Sequence, residues 1–200
     1  MSFTVPDRLS SGQRYATELA IFRFEEVCVL VQEGMKDFLR TAALQVRPGV
    51  ETTFRWLQRR GIRIGLVTDY GRSDLLMLLD RLGWGTGEGI KIDLVVVEQR
   101  KQLNPVKLAV EAAGLKSSQR AMVIVDTPRL LRCARDIGVE DVFGVTNGRC
   151  AYQELAAEPC RALLDNVMQL PAQLLPQQLS GSTLPVKTNL GGPPEMRHAG

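Results

Sequence analysis

The sequence is poor in the residues that build common metal and nucleophile sites. Its single histidine, His198, lies near the C-terminus, and no two cysteines form a Cys-x-x-Cys pair. A zinc centre of cysteine and histidine is therefore disfavoured, as is a triad that uses histidine as its base. We interpret the four cysteines as free thiols of a protein in a reducing compartment.

The chain also lacks long apolar runs and a strong charge of either sign. No uninterrupted apolar stretch approaches membrane-spanning length, and the first residues lack the apolar core of a signal peptide. The formal net charge is +3, from 25 basic and 22 acidic side chains, which is too small and dispersed to favour nucleic acid. We therefore predict a cytoplasmic protein that binds neither membranes nor nucleic acid.

Short apolar runs typical of buried strands alternate with helical patterns along most of the chain. The predicted strands are residues 19–24, 62–67, 93–97, 121–125, 142–145 and 162–164. Predicted helices follow them, including one that begins at Asn104-Pro105, one at Thr127-Pro128 and one capped by Ser73. This alternation predicts an α/β fold, a doubly wound (Rossmann-like) parallel sheet of about five to six strands with right-handed crossovers.

The predicted domain organisation has three parts. Residues 1–18 are a flexible leader and residues 19–175 form the α/β core. Residues 176–200 are rich in Gln, Ser, Gly and Pro, and we predict a disordered tail there. Within the core, the segment 29–46 holds a single predicted helix, Gln32 to Ala43, and the glycine-rich segment 83–89 is a surface connection.

Polar side chains follow three of the predicted strands at the point where each strand ends. They are Arg23 and Glu25, then Thr68 and Asp69, then Asp126 and Thr127. In a doubly wound sheet these strand ends border one crevice, so we expect the six side chains to lie close together. A plainer alternative is that Asp126 or Thr127 caps the helix that follows. The basic cluster at residues 100–102, with Lys101 at its centre, is a further candidate.

Taken as a set, several segments resemble the haloacid dehalogenase-like (HAD) hydrolase superfamily over about residues 19–175. They are Arg47-Pro48-Gly49-Val50, residues 61–69, Asn104-Pro105, residues 123–128, residues 134–139, and residues 144–148 leading to Glu154-Leu155. The similarity is greatest to the phosphonatase-like branch, here with a reduced or absent helical cap. It implies an aspartate nucleophile on the first strand, a second aspartate as acid and base, a phosphate-binding Thr and Lys, and acidic ligands for magnesium.

At the family's site positions, this sequence keeps only part of the residue pattern of the HAD superfamily. Arg23 stands at the nucleophile position and Glu25 at the acid/base position. Glu26 and Val27 stand where a small Gly and Thr normally follow, and Thr68 matches its position. The phosphate-binding Lys position falls on Gln102, with Lys101 beside it. Asp126 matches the first acidic position after the fourth strand, and the second falls near Leu130.

An arginine changes what this site can do. A guanidinium stays protonated and has no lone pair with which to attack phosphorus. We expect Arg23 to pair with Asp126 and to balance its charge in place of a metal. We therefore expect no metal or other cofactor, with Asp126 as the only carboxylate suited to one. The candidates for binding a phosphate or another anion are Arg23, Thr68, Asp69, Lys101 and Thr127.

These positions predict a catalytically degenerate protein, a pseudoenzyme on a phosphatase-like fold that binds, regulates or assembles. Its protein partner would dock on the uncapped face or on the C-terminal tail. One alternative is an active HAD-like phosphohydrolase with an unusual mechanism, in which Glu25 or Asp69 replaces the missing group and Mg²⁺ takes part. Another is an unrelated small-molecule binder, although no glycine fingerprint follows the first strand.

Overall fold

The computed structural model of the chain describes residues 17–30, 39–41, 43–85, 89–98 and 103–174. The strands are β1 (Leu19–Arg23), β2 (Val29–Leu30), β3 (Gln45–Val46), β4 (Arg63–Thr68), β5 (Leu94–Val97), β6 (Ala121–Val125), β7 (Asp141–Val145) and β8 (Ala162–Leu164). The helices are α1 (Val50–Gln58), α2 (Arg72–Arg81), α3 (Pro105–Ala112), α4 (Pro128–Asp136), α5 (Tyr152–Ala156) and α6 (Leu170–Leu174). Short 3-10 helices occupy Ser118–Arg120 and Val167–Gln169.

Six of the strands form one parallel sheet in the order β5-β4-β1-β6-β7-β8. The central strand is β1, whose Leu19 lies opposite Arg63 of β4 on one side and Ala121 of β6 on the other. The predicted doubly wound α/β fold is therefore confirmed. The chain adds strands outward on one side of β1 and then returns to the other side. Such a reversal opens a crevice at the carboxyl ends of the central strands.

Side chains from both faces of this sheet are buried, which explains why its strands are continuous apolar runs. All five residues of β6 are buried, as are the first four of β1. Because successive strand residues point to opposite faces, Phe22 and Ile21 enter different core layers. Phe22 packs against Phe54 of α1, with ring centroids 4.8 Å apart. The helices on the two faces hold β1 rigidly, and its last residue, Arg23, therefore has a fixed position.

The predicted helix starts are confirmed at two of three places. The Asn104 side chain accepts a hydrogen bond from the Lys107 amide, and the Thr127 hydroxyl accepts one from the Leu130 amide. Each residue precedes a proline, whose missing N–H is one that a helix start leaves unpaired in any case. The prediction for Ser73 is wrong, since α2 begins at Arg72 after Gly71 and no side chain caps it.

The segment after β1 contains a feature that the sequence analysis missed. Residues Val29–Leu30 and Gln45–Val46 pair as a small antiparallel sheet that ties the end of the β1 turn to the start of α1. Most of the predicted helix from Gln32 to Ala43 lies outside the described residues, and the described part at 39–41 is a turn. Outside them too lie residues 1–16, Lys101 and the predicted tail. Within the described ranges, no helix has both the length and the apolar character needed to cross a bilayer.

Candidate active site

The crevice at the carboxyl end of the sheet gathers charged side chains around Arg23. Its guanidinium lies 2.9 Å from Asp69 (Nη2 to Oδ2), 3.6 Å from Asp126 (Nη1 to Oδ1) and 3.8 Å from Glu25 (Nε to Oε2). The predicted ion pair between Arg23 and Asp126 is thus present. Only 16% of the Arg23 side chain is exposed, so one buried cation faces three carboxylates from three strand ends.

Glu25 is held in a single position by its neighbours on β4. Its Oε1 atom accepts hydrogen bonds from the Thr68 hydroxyl at 2.5 Å and from the Asp69 amide at 2.9 Å. Its other oxygen, Oε2, accepts no hydrogen bond from the described residues. The residue is 5% exposed, and this burial raises the pKa of Glu25 above its usual value, although Thr68 and Arg23 act in the opposite direction. A carboxyl group of this kind can hold a proton and release it to a bound molecule.

Asp126 is the most deeply buried carboxylate of the cluster. It is 1% exposed, and within the described part of the chain neither of its oxygens accepts a hydrogen bond of good geometry. Burial raises the pKa of Asp126, and the nearby Arg23 guanidinium opposes that shift. Among the described residues, Arg23 is the cation that pairs with Asp126. Without it, Asp126 would be a buried charge with no counter-ion, which is among the most costly arrangements in a folded protein.

A second charged network lies beside the first, and the sequence analysis did not find it. Glu26 is 4% exposed and bridges two arginines. Its Oε2 atom lies 2.8 Å from Arg47 Nη2, and its Oε1 atom accepts a hydrogen bond from Arg149 Nε at 3.0 Å. Glu26 also has φ +64°, a left-handed conformation that favours glycine. The signal available in the sequence was that Glu26 stands where the resembling family keeps a glycine.

Two further residues, Thr127 and Lys101, were predicted to belong to the site. The Thr127 hydroxyl caps α4 through the Leu130 amide, 3.4 Å away, which is the plainer of its two predicted roles. Lys101 lies outside the described residues, and its contribution stays a prediction. The part of the site that the structure describes therefore consists of Arg23, Glu25, Thr68, Asp69 and Asp126.

The described residues do not fit the magnesium ion that the resemblance implies. Three carboxylates are present, but the Arg23 guanidinium lies between them and supplies the positive charge that a metal would bring. Within the described ranges, no group of three or more acidic, cysteine or histidine side chains is arranged to hold a metal ion. The reaction proposed for this site therefore uses no metal ion.

Gly148, in the loop after β7, closes over Asp126 and gives a test of how tightly the site is packed. A β-carbon at this position would lie 2.3 Å from Asp126 Oδ2, closer than any real contact. We expect Gly148→Ala to lower the free energy of unfolding by about 1 to 3 kcal/mol, since either the loop or the carboxylate must move. Urea denaturation of the variant measures this.

Gly71→Ala is the matched control for Gly148→Ala. A β-carbon at Gly71 would approach no closer than 3.4 Å, to Asp74 Oδ2, and the φ of Gly71 is −58°, which alanine adopts readily. The control should change the free energy of unfolding by less than about 0.5 kcal/mol. Equal effects of the two substitutions would mean that the loop does not rest on Asp126.

The chain is similar in sequence to proteins that are named as phosphatases. The phosphoglycolate phosphatase of Pseudomonas savastanoi pv. phaseolicola is 27% identical over 159 residues, which cover 73% of this chain and 58% of that protein. A probable phosphoglycolate phosphatase of Pseudomonas putida is 29% identical over 149 residues, which cover 68% of this chain and 59% of that protein. The chain thus spans about three-fifths of the length of these curated relatives. No family model matches it.

Solved structures agree with the fold. The crystal structure of a predicted phosphoglycolate phosphatase from Haemophilus somnus superposes with a TM-score of 0.65 at 12% identity, covering 79% of this chain and 98% of that one. The chain has the fold of the haloacid dehalogenase-like hydrolases. The HAD-like fold expected from the strand-end segments is thus confirmed, with its six-stranded parallel sheet.

The prediction of a pseudoenzyme that only binds, regulates or assembles is wrong. The similar proteins from Pseudomonas are named phosphoglycolate phosphatase, which points to an enzyme. The prediction took the loss of the aspartate nucleophile, of a second magnesium ligand and of much of the cap as the loss of catalysis. The strand ends of this HAD-like fold still carry a buried carboxyl, Glu25, which contacts both a threonine, Thr68, and a cation, Arg23.

Proposed function

We propose that this HAD-like chain is a phosphohydrolase that releases inorganic phosphate from a small phosphate monoester. One observation carries the proposal: the buried Glu25 carboxyl is oriented by Thr68 and the Asp69 amide, directly beside the Arg23 guanidinium. The names of the Pseudomonas relatives support the reaction class. Because the chain spans only part of those relatives, their activity applies to this chain as a proposal.

Arg23 binds the phosphoryl group in this scheme. A guanidinium presents a planar fork of N–H donors that matches the oxygens of a phosphate. One of its partners, Asp69, has a side chain that is 45% exposed, whereas Asp126 is fully enclosed. An entering phosphoryl group therefore replaces Asp69 as the partner of Arg23 at the open side of the guanidinium. Asp126 holds the guanidinium in place from the buried side.

Glu25 supplies the proton and a water molecule supplies the attacking oxygen. The water forms a bond to phosphorus while the bond from phosphorus to the ester oxygen breaks, and Glu25 gives its proton to that ester oxygen. The proton lost by the attacking water passes to Asp69 and then to solvent, and Glu25 takes up a new proton. The sum is one ester and one water converted to one alcohol and one phosphate. Water attacks because the residue at the nucleophile position, Arg23, has no lone pair.

The affiliation to the phosphonatase-like branch is a finer part of the proposal. Phosphonatase chemistry needs a lysine in the cap, and Lys36, the lysine of that segment, lies outside the described residues. A phosphate ester is the better supported substrate, since both relatives described above are named as phosphatases of such an ester. A protein partner at the uncapped face likewise stays a prediction.

Phosphate release from 2-phosphoglycolate and from an aryl phosphate tests the proposed activity, measured on the wild type and on Thr68→Val. The wild type should turn over, and Thr68→Val should lower kcat about tenfold, because the hydroxyl that orients Glu25 is lost. Thr53→Val is the matched control, since the Thr53 hydroxyl is also buried but bonds only the Val167 carbonyl among the described residues. It should leave kcat unchanged. The proposal fails if the wild type releases no phosphate, or if both variants retain full activity.

A further inference from the structure

We propose that Arg149 binds a second anionic group of the substrate, so that the preferred substrate is a small phosphate monoester that also carries a carboxylate. This inference rests on the proposed phosphohydrolase activity and adds the substrate class and the residue that selects it. It starts from the network of Glu26, Arg47 and Arg149, to which the steps above assign no role.

The loop between β7 and α5 places Arg149 at the crevice. Gly148 packs so closely on Asp126 that no side chain fits between them. Asp126 in turn lies 3.6 Å from Arg23, the proposed phosphoryl-binding residue. The residue directly after this contact is Arg149. Its side chain is 64% exposed, in contrast to the buried carboxylates behind it, so it is open to a ligand that enters from solvent.

Glu26 fixes the orientation of the Arg149 guanidinium. The hydrogen bond runs from Arg149 Nε to Glu26 Oε1, and Glu26 is held from its other side by Arg47. Within the described residues, no hydrogen bond engages the two terminal nitrogens of Arg149. Those terminal nitrogens are the atoms that bind a carboxylate with two parallel hydrogen bonds. An arginine held through Nε is thus already oriented for such a ligand, which lowers the entropic cost of binding.

The charge balance of the two networks also favours a second anionic group at Arg149. Around Arg23, one cation already faces three carboxylates, so no unshared positive charge remains there for a second anionic group of the substrate. Around Glu26, two cations share one carboxylate, which leaves an excess of one positive charge. Arg47 is mostly buried, with 19% of its side chain exposed, so that excess charge is presented to solvent by Arg149. A carboxylate on the substrate therefore has its available cation at Arg149.

Steady-state kinetics on two esters of the same size test this. One is 2-phosphoglycolate, and the other is 2-hydroxyethyl phosphate, in which a hydroxymethyl group replaces the carboxylate. Arg149→Gln should raise KM for 2-phosphoglycolate by about 10- to 100-fold, the value of a charge-assisted hydrogen bond pair, while kcat changes little. KM for 2-hydroxyethyl phosphate should stay within about twofold, since that ester has no group for Arg149. Arg149→Lys, which keeps the charge without the planar fork, should restore part of the affinity.

Arg132→Gln is the matched control for the loss of an exposed arginine. Its side chain is 57% exposed and pairs with Glu158, which has no role in the proposed site, so neither ester should respond to the change. The inference is overturned if Arg149→Gln affects both esters equally, or neither, while the wild type hydrolyses both. If the wild type hydrolyses neither ester, it is the proposed phosphohydrolase activity that fails. The two failures are therefore distinguishable in one set of assays.

Discussion

Replacing Arg23 with methionine is expected to lower the free energy of unfolding by about 3 to 5 kcal/mol at pH 8, the usual cost of removing one partner of a buried ion pair. The side chain is 16% exposed and contacts Asp69, Asp126 and Glu25 within 3.8 Å. Methionine keeps much of the length and packing of the side chain but none of its charge. The loss therefore reports the electrostatic role of Arg23 and little of its volume.

The loss should depend on pH in a defined direction. Burial raises the pKa values of Glu25 and Asp126 above their usual 4.5 and 3.8. A carboxyl group whose pKa is raised by folding stabilises the protein below its unfolded pKa, and this contribution is lost as the pH rises through the folded value. Arg23 lowers both pKa values, so its removal extends the loss to higher pH. The destabilisation should be smaller at pH 5 than at pH 8.

Urea denaturation of the wild type and Arg23→Met at pH 5 and pH 8 measures both effects. Arg55→Met is the matched control, because Arg55 forms an exposed pair with Glu51 and exposed pairs contribute at most about 1 kcal/mol. An Arg23→Met variant as stable as the wild type at pH 8 would contradict the view that Arg23 balances the charge of this cluster.

The core of the fold was predictable because each element carries its own signal. Strand β1 has four apolar residues before Arg23, and β6 has five before Asp126. The Asn104-Pro105 and Thr127-Pro128 pairs mark the starts of their helices. The small sheet of β2 and β3 was missed because strands of two residues are too short to show a period. Ser73 was misassigned because a serine inside a first turn has the same sequence signature as a cap.

The candidate site was predictable only where it follows from the order of the strands. Arg23, Thr68 and Asp126 end neighbouring strands, so their meeting follows from the topology. The contact between Glu26 and Arg149 joins residues 123 positions apart through a loop, and no pattern in the sequence reports it. The functional prediction failed for a related reason. It judged each site position by its residue type in the sequence, whereas the contacts that orient Glu25 become visible only in the folded chain.

Replacing Glu25 with glutamine is expected to lower kcat by about 10²- to 10⁴-fold, the usual contribution of a general acid or base. Glutamine has the shape of glutamate, and its amide oxygen can accept the hydrogen bonds that the Thr68 hydroxyl and the Asp69 amide now donate. What it cannot do is give a proton to the ester oxygen. The change should therefore remove the proton transfer while leaving the site in place.

Two further readouts separate this chemical role from a structural one. In the wild type, kcat should fall as the pH rises through the pKa of Glu25, which burial raises, because the acid must be protonated to act. Glu25→Gln should lack that decline. The variant should also be at least as stable as the wild type at pH 8, since a neutral amide costs less to bury than a desolvated carboxylate.

Glu111→Gln is the matched control, at an exposed carboxylate that pairs only with Lys107 among the described residues. It should match the wild type in kcat and pH profile. If Glu25→Gln instead keeps the kcat of the wild type, the proton comes from another group and the assignment of Glu25 is wrong.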